Sequence, residues 1–213
     1  MFVRFSLGFM WGFVAVLLLW PMGAKGQDES MLLVATKELG GHYAQTVIAV
    51  SGDTTPRGWR VGVILNRVTP ATMARLFPDF APATAIKEAV YFGGPMGTNT
   101  VVAVYRGTRP EGKAVMAMLE DVHLVLDASV IDGIVEKTPN DARYYAGLVA
   151  WEPGELEDEI KQGMWHTKPL TVEVMFRKDV SELWLELSAT ARMKSASWPR
   201  SIAAPTAPLG IRG

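Results

Sequence analysis

No cysteine occurs among the 213 residues, which excludes disulfides, thiolate metal sites and a thiol nucleophile. Histidine is scarce: His42, His123 and His166 are the full set. None stands in an H-x-x-x-H or H-E-x-x-H spacing, which would put two ligands on one helical face. There is no G-x-S-x-G turn and no S-x-x-K, so two common signatures of a serine nucleophile are missing. The glycine-rich run Gly93-Gly94-Pro95-Met96-Gly97 lacks the Lys-Ser/Thr pair of a phosphate loop, and Pro95 removes an amide that a phosphate cradle would use. No internal repeat is evident.

Charge of one sign is missing at both ends. Residues 1–26 carry Arg4 and Lys25 and no acid, and residues 192–213 carry Arg192, Lys194, Arg200 and Arg212 and no acid. The intervening body is therefore acidic, which repels nucleic-acid phosphates and argues against nucleic acid as a partner. Hydrophobic residues make up 49% and charged residues 20%, the usage of a globular chain with a real core.

The N-terminus gives the compartment. Arg4 precedes an apolar run from Leu7 to Trp20, followed by Pro21, Ala24 and Gly26. This reads as a secretory signal cleaved before Gln27, or as a retained inner-membrane anchor through which residues 1–26 would contact the membrane. The expected location is periplasmic or secreted, or anchored if the segment stays. Three regions result: 1–26 as signal or anchor, 27–191 as one domain, and 192–213 as a disordered basic tail.

Within the domain, strands are expected at 31–36, 45–50, 59–66, 89–92, 101–105, 114–119, 144–151 and 171–176, with 122–126 continuing the sixth of these. Thr69-Pro70 predicts a helix through Phe77, and Asp127 caps a helix over 128–137. An acidic helix over 155–162 and a terminal helix over 180–191 complete the pattern. Strands recur as neighbours, so mixed pairing is expected over a regular parallel ladder. Glu155, Glu157, Asp158 and Glu159 could pair as acid and base or hold a hard metal ion. Their place near a helix N-terminus, opposing the macrodipole, favours a solvated face.

Four segments together form a pattern: LLVAT at 32–36, GVILNR at 62–67, VYFGGPM at 90–96 and RYYAGLVAWEPGELEDEIKQGMW at 143–165. In this order and spacing they resemble the YqgE/AlgH family of bacterial proteins. The resemblance implies a single α/β domain of mixed α+β type, with a bifurcated mixed sheet folded toward a barrel and flanked by helices. It implies no established enzymatic activity and no cofactor, although members have been labelled transcriptional regulators. Gly147-Leu148-Val149-Ala150-Trp151 stands where the family commonly has G-Y-A-G-W, and an export signal is unusual for it.

The matching residues define a candidate ligand or partner surface: Asn66, Arg67, Gly93, Gly94, Pro95, Arg143, Trp151, Gly154, Glu157 and Trp165. If they converge, they make a shallow site with two guanidiniums, a carboxylate and aromatic walls, suited to a small anionic ligand or a protein partner. Otherwise the glycines and proline set turns, the tryptophans fill the core, and Arg67 or Arg143 pairs with Glu157. The function expected is a non-catalytic binding or regulatory protein of the cell envelope, with no metal and no cofactor. The alternatives are a transcription-related regulator, as in the family label, and a hydrolase using Arg67, Arg143, His123 and Glu157.

Overall fold

Strand β1 (Met31–Ala35) sets the pattern of the whole fold. Leu32 and Val34 point to one side and Leu33 and Ala35 to the other, and all four are buried, so both faces of the sheet are covered. The computed structural model describes residues 29–196; the signal or anchor expected over 1–26 lies outside them.

After β1 come β2 (Val47–Thr54), β3 (Arg60–Ile64), β4 (Val68–Thr72) and the short helix α1 (Met73–Leu76). Then follow β5 (Ala89–Phe92), β6 (Met96–Arg106), β7 (Val115–Leu119), β8 (Val122–Val125) and α2 (Ala128–Lys137). The chain continues through β9 (Ala142–Trp151), α3 (Glu155–Lys161), β10 (Trp165–Pro169), α4 (Val172–Met175) and α5 (Leu183–Ala196). The antiparallel path runs β10-β1-β2-β3-β9-β6-β8-β7. Off this path, β5 lies parallel to β9, and β4 pairs antiparallel with β5.

The sheet curls into a half-barrel until β7 comes up against the far end of β2. No ladder joins these two strands. Instead the Ser51 hydroxyl donates to the Ala117 carbonyl at 2.8 Å, and Asp53 Oδ2 accepts the Ala117 amide at 2.7 Å. Side chains thus satisfy an edge strand that would otherwise present open backbone groups.

The inner face of the curl holds Val34, Leu65, Val104, Leu124 and Tyr145, covered by Met175 and Leu183 from the C-terminal helices. Ile131, Ile134 and Val135 of α2 cover one outer region. Their i, i+3, i+4 spacing makes the helix amphipathic, and Asp127 Oδ1 caps it by accepting the Ser129 amide at 3.1 Å. Leu156 of α3 covers the other outer region, beside Trp151 and Trp165.

Several expectations are corrected. Residues from Thr69 do not begin a helix: Val68 pairs with Tyr91, the Thr69 hydroxyl donates to the Val90 carbonyl at 2.5 Å, and Pro70 sits in a strand. The helix starts one turn later, capped by the Thr72 oxygen, which accepts the Arg75 amide. The strand expected over 171–176 is α4, capped by Thr171 in the same way. Strand β10 was not anticipated. The last helix continues to Ala196, past the expected start of the tail at 192; residues 197–213 lie outside the description.

Candidate functional site

The sheet divides at β9. Its first half pairs with β6 on one side and β5 on the other, while its second half pairs with β3. The connection from β5 to β6 must therefore cross β9, and Gly93-Gly94-Pro95 makes the crossing. The Gly93 amide donates to the Ala146 carbonyl at 2.9 Å, and its carbonyl accepts the Ile64 amide at 2.9 Å. A Cβ on Gly93 would strike the Gly147 carbonyl oxygen, and one on Gly94 would strike the Leu148 carbonyl. Gly147 itself has φ +72. That irregularity shifts the alternation of β9, so Tyr145 and Leu148 both belong to the inner cluster while Val149 and Trp151 turn outward. The glycines are thus required by chain crossing.

Asn66 and Arg67 follow β3 and clasp the loop before β2. Asn66 Oδ1 accepts the Val47 amide at 2.9 Å and its Nδ2 donates to the Gln45 carbonyl at 2.9 Å. Gln45 has φ +54, a conformation that this clasp helps to hold. Arg67 Nη2 donates to the Ala44 carbonyl at 2.5 Å, and the residue is otherwise exposed.

Arg143 is only 2% exposed. It lies 4.6 Å above the Tyr91 ring, pairs with Glu88 at 2.6 Å and donates to the Met175 carbonyl at 3.0 Å. The pairing with Glu157 considered from sequence does not form, because β9 delivers Arg143 to the inner face. Burial pushes the Tyr91 phenol up to about 12, opposed by the Arg143 charge and assisted by Glu88.

On the outer face, the Trp151 and Trp165 indoles donate to the same oxygen, Glu159 Oε2, at 2.9 and 2.8 Å. Tyr43 meets the Trp165 ring edge-on at 5.9 Å. Burial raises the Tyr43 pKa, with Glu159 and then Glu155 adding to the effect. Gly154, with φ +88, opens α3, which places Glu159 one turn and a half along; Glu157 sits half-buried on the same helix.

The ten residues singled out from sequence therefore form three groups. Asn66 and Arg67 share a rim with Gly93, Gly94 and Pro95, since the Phe92 amide donates to the Arg67 carbonyl at 2.7 Å. Trp151, Trp165 and the α3 residues adjoin this rim through Tyr43. Arg143 is on the other side of the sheet with Tyr145, away from Trp151. The hydrolase constellation also divides: Arg143 stands opposite Val104 of the inner cluster, whereas His123 stands opposite Tyr105, which packs on the α2 side.

A family model described as AlgH-like matches residues 32–196. The chain belongs to the AlgH-like family. A UPF0301 protein of Thermobifida fusca is 30% identical over 162 residues, covering 72% of this chain and 81% of the relative. One from Corynebacterium efficiens is 31% identical over 145 residues, covering 65% and 70%. Among solved structures, the AlgH protein of Pseudomonas aeruginosa superimposes with a TM-score of 0.61 at 19% identity, covering 87% of this chain and 100% of that one. A protein from Corynebacterium diphtheriae gives 0.60 at 21% identity, covering 81% and 88%. These two similarities establish the fold.

One feature of this AlgH-like chain escaped sequence reasoning. Beside the seam between β2 and β7 is a cleft of about 450 Å³, lined by Glu29, Ser30, Asp53, Arg109, Glu120 and His123 among others. These residues come from the start of β1, the end of β2, and the turns around β7 and β8. No local spacing links them, so no motif could have found them; the lone His123 was the one available sign.

Proposed function

We propose that this AlgH-like protein is an exported, non-catalytic binding or regulatory protein of the cell envelope, which engages an anionic group of a partner at the Arg67 rim. The observation that carries the reading is the exposed Arg67 guanidinium, held at one nitrogen by the Ala44 carbonyl and open elsewhere. A guanidinium fixed in this way is pre-oriented for a carboxylate or phosphate. Val68, 56% exposed, adjoins it along the chain, and Met96, 44% exposed, lies on the far side of the Gly93–Pro95 crossing. An exposed cation next in the chain to an exposed apolar residue suits a partner-contact patch. Export is supported by the cation-led apolar segment of residues 1–26.

Cell fractionation with sequencing of the mature N-terminus tests the compartment; a chain starting at Met1 and free in the cytosol would remove it. A photo-crosslinking residue at Val68, with and without Arg67→Glu, tests the rim. The expected result is one discrete adduct in the envelope fraction that Arg67→Glu abolishes. An adduct indifferent to Arg67→Glu would refute the rim as the contact.

A further inference from the structure

The seam cleft is chemically distinct from the Arg67 rim. It shares Glu29, Ser30, Met118 and Leu119 with a second cavity of about 630 Å³, walled by Met31, Ile160, Pro169 and Leu170. Thr167 and Lys168 also line the second cavity, so the carboxylates gather at the cleft end, while the far end combines these apolar side chains with one lysine.

The polar end is dominated by acceptors. Glu29, Asp53 and Glu120 contribute three carboxylates. Among the described residues, one Lys or Arg lines the cleft: Arg109, which donates through Nη2 to the Val115 carbonyl and holds Nη1 3.9 Å from Asp53. The carboxylates outnumber it.

An independent observation points the same way. His123 lines the cleft yet is only 3% exposed. Its Nε2 is 3.2 Å from the Gly107 carbonyl oxygen. A carbonyl can only accept, so Nε2 carries the hydrogen and Nδ1 carries a lone pair. Nδ1 is buried and has no hydrogen-bond partner among the described residues. A buried acceptor left in this state is destabilising, and a donor supplied by a ligand relieves it.

We propose that this cleft binds a small organic cation bearing N–H donors, an alkylguanidinium or alkylammonium group. The cationic head faces Glu29, Glu120 and His123 Nδ1, away from Lys168, and the hydrocarbon part lies over Met118 and Leu119 toward Ile160 and Leu170. Charge complementarity selects the head, and the two-part shape selects an attached chain. The assignment does not depend on the Arg67 reading.

The test uses the full chain, calorimetric titration and nitrogen-resolved NMR of the histidine rings. n-Butylguanidinium should bind saturably and shift the His123 Nδ1 resonance upfield, as a newly hydrogen-bonded acceptor. Its neutral isostere n-butylurea should not bind. Glu120→Gln, an exposed change, should weaken butylguanidinium about threefold to fivefold, the effect of losing one partly solvated charge pair. Arg67→Ala should leave binding unchanged. A capped Gly-Arg-Gly peptide separates sources: tighter binding than butylguanidinium indicates an arginine side chain, and weaker binding a free cation. Absence of saturable binding by either cation overturns the proposal. So does equal binding of the urea, indifference to Glu120→Gln, or an unmoved His123 Nδ1.

Discussion

Gly93 and Gly147 pass each other backbone to backbone, with no space for a methyl group on either. A Cβ on Gly147 would also come within 2.8 Å of the Met96 carbonyl oxygen, in a residue whose φ is already +72. Gly147→Ala should therefore cost more than ~2 kcal/mol, combining backbone strain with steric conflict. Gly163 has φ +76 but nothing within 4 Å of its Cβ position. Gly163→Ala should cost only about 1 kcal/mol, the left-handed penalty alone. Chemical denaturation of both variants checks the difference, and equal losses would show that the crossing relaxes freely.

The shared acceptor on α3 gives a second expectation. Glu159→Ala leaves both the Trp151 and Trp165 indoles without their common partner, and should destabilise by about 1.5–3 kcal/mol, the range for a hydrogen bond to a charged group. Tryptophan emission should change with it. In Glu159→Gln the Tyr43 phenol should ionise at lower pH than in the parent, because a charge that raises its pKa has gone. Ultraviolet titration of tyrosine reads this directly; an unmoved Tyr43 would mean that burial alone sets its pKa.

Alkaline stability follows from the Tyr91 environment. The phenol is raised from 10.0 to about 12 in the folded chain, so the native state keeps a proton that the unfolded state releases. Stability from this group is complete below pH 10 and is lost as pH rises from 10 toward 12. Tyr144 and Tyr145, also raised by burial, deepen the loss at higher pH. Melting temperatures across pH 9–12 should fall less steeply in Tyr91→Phe than in the parent. Arg143→Ala should cost about 2–5 kcal/mol, the range for emptying the space of a large buried side chain, whereas Arg143→Met should cost less, since it refills most of that space.

The seam between β2 and β7 rests on Ser51 and Asp53 meeting Ala117, with Ser30 adding a longer contact to the same carbonyl at 3.4 Å. Asp53→Ala removes the acceptor of the Ala117 amide, and Ser51→Ala the nearer of the two hydroxyl donors to its carbonyl. Hydrogen exchange at the Ala117 amide should accelerate in Asp53→Ala and remain slower in Asp53→Asn, which keeps an oxygen acceptor. Each alanine change should cost about 1 kcal/mol. Unchanged exchange at Ala117 would show that the edge is protected by burial alone.

How much of this was visible in the sequence depends on whether the deciding interaction is local. The α2 helix was legible because Asp127 and the Ile131, Ile134, Val135 spacing act within one segment. β1 and β2 were legible from unbroken apolar runs. Thr69-Pro70 misled because its capping chemistry is the same as that of Thr72; what overrides it is pairing of Val68 with Tyr91, 23 residues away. Trp165–Pro169 carries no strand periodicity, since its place is set by β1. The mixed α/β architecture with a divided sheet followed from the family pattern. The division of the matching residues between the two faces did not follow, because a single irregular residue, Gly147, decides which side each β9 neighbour takes, and the partner of Arg143 proved to be Glu88.

β9 touches β3, β5 and β6, yet it spans residues 142–151, late in the order of synthesis. All three of its partners are made before it. A chain halted before Ala142 already holds the residues of the β1-β2-β3 and β6-β8-β7 ladders, the Ile64–Gly93 hydrogen bond and the Ser51–Ala117 contact, but it lacks the strand that pairs with both β3 and β6. Full closure of the sheet therefore waits for this hub strand.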